Sequence, residues 1–100
     1  MYDKEGFLKN LDLWSENIAQ QIATQETIVL TEAHWEIIFL VRKFYQTFER
    51  SPDMRALCSY AKQELNTEKA KSIYLLKLFP NSPAKFACKI AGLPKPDNCL

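Results

Sequence analysis

The sequence predicts a mainly α-helical fold of the α+β kind: one small domain with a short extended piece at its N-terminus and a projecting C-terminal arm. Three observations carry this. The chain has 100 residues, 47% hydrophobic and 25% charged, the composition of an ordinary globular domain with one modest core. Helix start and stop signals recur along it, with Ser or Thr ahead of apolar-periodic runs and Pro or Gly after them. The last stretch, "LPKPDNCL", carries Pro94 and Pro96, which forbid helix and favour a partly stiff extended segment. We place the domain at residues 1–92 and the flexible arm at 93–100.

The elements follow in order. "MYDKEGFLKNLDLW" reads as an extended or turn segment, with Gly6 at the turn and Phe7, Leu8, Leu11 and Trp14 as apolar anchors. Ser15 is an N-cap, and Ile18, Ala19, Ile22 and Ala23 share one face of the helix after it. Thr31 caps a second helix, "EAHWEIIFLVRKFYQTFER". Glu32, Glu36, Lys43 and Arg50 fall on one polar stripe, while Trp35, Ile37, Ile38, Leu40, Val41, Phe44, Tyr45 and Phe48 cover most of the rest. A helix so widely apolar is expected to be the central one. Ser51 and Pro52 read as cap and first residue of a third helix ending near Leu65. Thr67 caps a fourth, stopped by Pro80. Ser82 and Pro83 begin a fifth, and Gly92 is its C′ glycine.

Net charge is +1, from 13 basic and 12 acidic side chains, so no global field draws the chain to nucleic acid or membrane. The N-terminus shows charges from residue 3 and no apolar core of a signal peptide, and "IIFLV" is too short to span a bilayer. A cytoplasmic, reducing location is therefore expected, without a disulfide framework. The cysteines stand at 58, 88 and 99, with no CxxC and a single distant histidine, so neither a metal nor a cofactor is expected.

Cys99 occupies the next-to-last position, where chains fray and no core needs a thiol. It reads as a reactive group on an arm that reaches at most ~23–25 Å past Gly92 when extended. Lys95 favours its thiolate, whereas Asp97 and the terminal carboxylate oppose it, and no adjacent histidine depresses its pKa. Such a thiol suits an acceptor or carrier that a partner activates. Cys88 lies on a small-residue face with Ala84, Ala87 and Ala91, and reads either as packing or as a second thiol. An arm folded back along its helix would bring the two cysteines within the ~5.5 Å Cα separation of a disulfide. Cys58 reads as a core filler, and His34 as a cap or core residue. Hydrolysis has no support, since one histidine leaves little room for general-base chemistry. Arg55, Lys62, Lys69, Lys71, Lys77, Lys85, Lys89 and Lys95 make the C-terminal half basic, which leaves an acidic or RNA-bearing partner open. The helices meeting at Arg50–Pro52 admit a weaker alternative, a helix-turn-helix DNA-binding regulator.

"CKIAGLPKP", two further residues, Cys99 and one last apolar residue resemble the C-terminus of the DsrC/TusE family of sulfur carriers. "EGFL", Trp14, "LTEAHWEII", "RKFY", "SPDMR" and "YLLKLFP" follow the family pattern in order. The resemblance implies a small N-terminal β meander on a helix array with a helix-turn-helix-like pair. The chain starts late against that pattern, so either it is trimmed or the sheet is vestigial. Ala70 to Leu75 stand where the family favours Gly-Asn-Ser-Arg/Lys-Tyr-Leu. The resemblance also implies a persulfide carried on Cys99. In the TusE branch the sulfur comes from a TusBCD complex and passes to a tRNA thiouridylase for wobble 2-thiouridine. In the DsrC branch the arm serves dissimilatory sulfite reductase, and a second cysteine eleven positions earlier cooperates. Cys88 occupies that position. The TusE-like sulfurtransferase is the expected function and the sulfite reductase partner the alternative. Neither a membrane nor direct contact with nucleic acid is expected.

Overall fold

Side-chain caps and backbone turns divide the chain into five helices in the computed structural model, which describes residues 1–98. They are α1 (Glu16–Gln25), α2 (Glu32–Phe48), α3 (Met54–Glu64), α4 (Ser72–Leu78) and α5 (Pro83–Ile90), preceded by one 3-10 turn at Leu11–Leu13. Ser15 caps α1 as the sequence predicts, its hydroxyl accepting the Ile18 N–H at 3.2 Å. Thr31 precedes α2, and its N–H donates to Nδ1 of His34 at 3.1 Å. Because Nδ1 accepts there, Nε2 carries the proton and donates to the Leu78 carbonyl at 2.7 Å. His34 thus ties the start of α2 to the end of α4, the cap role expected of it.

Two boundaries differ from the sequence reading. The cap of α3 is Asp53, whose carboxylate accepts the Ala56 N–H at 2.9 Å, two residues after the expected Ser51. Asp caps as well as Ser does, and the Ser51 hydroxyl is bonded elsewhere. The fourth helix starts at Ser72, not just after Thr67. Asn66 accepts the Lys69 N–H at 2.8 Å, and residues 67–71 close as i→i+3 turns that do not extend into an α ladder.

The N-terminal β element is not formed. Residues 1–9 make a turn closed by one isolated antiparallel bridge, Tyr2 with Leu8, and the described residues contain no strand. The Asp3 carboxylate takes the N–H groups of Glu5 and Phe7, and Gly6 turns the chain at φ +87°. Asn10 then caps the 3-10 turn at once, so no length remains in which a ladder could grow.

Phe7, Phe79, Ile37, Ile38, Leu57, Leu75 and Ile90 are fully buried. α2 contributes Ile37, Ile38, Leu40, Val41 and Phe44 to this core, yet α5 is the helix that packs against all four others. Its buried Ala84, Ala87, Cys88 and Ala91 permit that close approach. Among the described residues, no helix is long and apolar enough to cross a membrane.

Candidate functional site

The arm leaves the body at the C-terminus of α5, where four carbonyls have no partner within the helix. Each is satisfied. The Leu93 N–H donates to the Cys88 carbonyl at 2.9 Å and the Gly92 N–H to that of Lys89 at 3.2 Å, a Schellman arrangement with Gly92 at φ +75°. Trp14 Nε1 donates to the Ile90 carbonyl at 2.9 Å, and Arg42 Nη1 to that of Ala91 at 2.6 Å. The guanidinium lies 3.9 Å from the centroid of the Trp14 ring. Partial burial lowers the Arg42 pKa from its ordinary value. A cation at a helix C-terminus complements the dipole, so Arg42 and Trp14 fix the root of the arm.

Beyond the root, residues 93–98 lie against the body. Leu93 is buried. The Pro94 carbonyl accepts from the Ser51 hydroxyl at 2.6 Å. Lys95 Nζ is 3.0 Å from a Glu5 carboxylate oxygen, which lies 3.9 Å from Lys85 as well. Pro96 is buried, and Asn98 stands at φ +62° on the edge of an apolar groove of about 680 Å³ lined by Met54, Leu76, Ser82 and Phe86.

Cys99, the expected persulfide acceptor, lies outside the described residues. Cys88 is fully buried on α5, its Sγ 3.9 Å from the Pro52 carbonyl at the start of the α3 segment. Cys58 sits half-buried on α3, where burial raises its pKa and disfavours the thiolate. Among the described residues no group of His, Cys, Asp and Glu has the makings of a metal site. The lysines read as a basic flank are largely matched by carboxylates: Lys69 with Glu36, Lys71 with Glu68, Lys89 with Glu26, and Lys85 and Lys95 with Glu5.

Sequence reasoning did not single out Glu5, Arg42 or Ser51 as neighbours of the arm. Arg42 carried a signal, the first cation after the most apolar run of the chain. Ser51 was visible only as a cap, and Glu5 only as one more N-terminal charge.

Comparison with known proteins yields a consistent set. The family model for "DsrC like protein" matches residues 1–100. "Sulfurtransferase TusE" of Yersinia pseudotuberculosis serotype I is 52% identical over 98 residues, covering 98% of this chain and 91% of that protein. "Sulfurtransferase TusE homolog" of Haemophilus influenzae is 49% identical over 98 residues, covering 98% and 90%. Among solved structures, the NMR structure of Allochromatium vinosum DsrC superposes with a TM-score of 0.89 at 43% identity, covering 99% of this chain and 88% of that one. The oxidized gamma-subunit of the dissimilatory sulfite reductase (DsrC) from Archaeoglobus fulgidus gives 0.84 at 38% identity, covering 100% and 91%.

Proposed function

The chain belongs to the DsrC-like protein family, and from that membership we propose that it is a sulfur carrier, a sulfurtransferase that accepts sulfur on Cys99 and relays it toward wobble 2-thiouridine in tRNA. The observation that carries this reading is the group of relatives named sulfurtransferase TusE, about half identical over 98% of the chain. The donor is a TusBCD-like complex, the acceptor a tRNA thiouridylase, and the compartment the cytoplasm. The thiolate of Cys99 attacks the outer sulfur of a donor persulfide, the donor thiolate leaves, and Cys99 holds the new persulfide. An acceptor thiolate then attacks that outer sulfur and Cys99 leaves as a thiolate. Each step exchanges one S–S bond for another, so no oxidant is consumed.

The second reading is a partner of sulfite reductase that uses Cys99 together with Cys88. It is favoured by the cysteine at position 88 and by the DsrC structures, although these are less similar in sequence than the TusE relatives. The DNA-binding alternative gains nothing from a net charge of +1.

Intact mass after incubation of reduced protein with a cysteine desulfurase and cysteine tests the readings. The expected result is a dithiothreitol-labile gain of about one sulfur, ~32 Da, in wild type and Cys88→Ala but not in Cys99→Ala. A loss of two hydrogens that disappears in either variant moves the function to the second reading. No modification of Cys99 under any donor removes both.

A further inference from the structure

We infer that Glu5 and Ser51 are positioning residues for the arm, a two-point latch that sets how far Cys99 reaches from the body. The latch points come from two parts of the chain distant in sequence. Ser51, in the turn between α2 and α3, donates its hydroxyl to the Pro94 carbonyl at 2.6 Å. Glu5, in the N-terminal turn, meets the Lys95 ammonium at 3.0 and 3.4 Å. Before and beyond these points Leu93 and Pro96 are buried, and Asn98 lines the groove beside α5.

The root at Gly92 is secured separately, through the Trp14 and Arg42 bonds to the Ile90 and Ala91 carbonyls. Releasing the latch therefore leaves the helix end intact. With residues 93–98 held down, Cys99 follows directly in sequence on the last docked residue, Asn98. With them released, the free length is the seven residues after Gly92, about 23–25 Å when extended. A thiol that must enter another protein's site needs the second state.

The strength of the two contacts suits a latch that opens. The Lys95–Glu5 pair is partly exposed, with side-chain accessibilities of 30% and 48%, and is open to screening by salt. The Ser51 bond is a single neutral hydrogen bond at the surface. Glu5 also stands 3.9 Å from Lys85 on α5, which places its carboxylate between the arm and the body.

The inference deepens the carrier reading and rests on it for its purpose. Its test does not. Cys99 is labelled with N-ethylmaleimide and with a 5-kDa (approximate) polyethylene glycol maleimide, and the ratio of the bulky to the small reagent's rate is read by peptide mapping. The ratio cancels changes in thiolate fraction. Glu5→Gln should raise it about two- to fivefold, and Glu5→Gln with Ser51→Ala about tenfold. The wild-type ratio should climb with added salt, while that of Glu5→Gln stays nearly flat. Glu5→Lys should raise the ratio further, and the exchange Glu5→Lys with Lys95→Glu should bring it back toward wild type, an outcome that mere loss of stability would not give.

Equal ratios in all variants, or an equal salt response with and without Glu5, overturn the latch. If the ratios move as expected but Cys99 accepts no sulfur, the latch stands and the carrier reading falls. If sulfur loads and the ratios do not move, the carrier reading stands alone.

Discussion

Gly92 answers to two constraints at once. Its φ of +75° is a conformation that L side chains rarely adopt, and a Cβ there would lie 2.4 Å from the Trp14 ring. Gly92→Ala should cost about 2–4 kcal/mol, combining left-handed strain with overpacking. Urea denaturation measures it, and a loss below about 1 kcal/mol would mean that the ring moves aside easily. The first constraint was legible, because a glycine after a capped helix is a recognised stop. The second was not, since nothing in the sequence joins position 14 to position 92. The same holds for Arg42, whose guanidinium the fold places over Trp14 and on the Ala91 carbonyl. His34 lies between these cases: its cap role could be read, but its bond to Leu78 could not.

At the scale of elements, α5 shows what local signals can and cannot say. Its bounds, its proline at the first position and its terminal glycine all follow from the sequence. Its place against all four other helices does not, because eight residues with two alanines and a cysteine look minor beside the aromatic-rich α2. Small side chains are what allow that placement. Ala87→Leu should therefore cost about 1–3 kcal/mol, read by urea or thermal denaturation. An unchanged midpoint would mean that α5 has slack on its inner face. The fourth helix was read too long for a related reason. Apolar periodicity continues through Ala70, but the Asn66 side chain commits the backbone to turns before it. The expected β meander failed in the same way, as Asp3 and Asn10 bind backbone N–H groups that strand pairing would have used.

Over the whole molecule, acid sensitivity has identifiable sources. The Phe7 N–H is the chief cause that lowers the Asp3 pKa, and the Lys43 ammonium does the same for Glu64. A carboxylate with a depressed folded pKa contributes stability above its unfolded value and loses it as pH falls through the folded one. The melting temperature should therefore drop as pH is lowered through the carboxylate range, and drop less in Asp3→Asn with Glu64→Gln. Identical pH curves for the two proteins would remove these carboxylates as the source. Family membership was legible at this scale for a different reason from fold, through the long C-terminal motif. The expectation for Cys99 came from its place alone, the next-to-last position behind two prolines, and needed no contact to be formed. The docking of residues 93–98 could not, because it rests on Glu5 and Ser51, distant residues of types common on any surface.

The meeting of Glu5 with Lys95 has a practical corollary for anyone who handles the protein. Residues from both ends of the chain share one face, so a purification tag or fusion partner ahead of Met1 enters the molecule beside the C-terminal arm. A tag placed after Leu100 buries the thiol's position inside a longer chain. Labels and immobilisation points belong instead on exposed side chains away from both termini in sequence, such as Gln20 or Gln21 of α1.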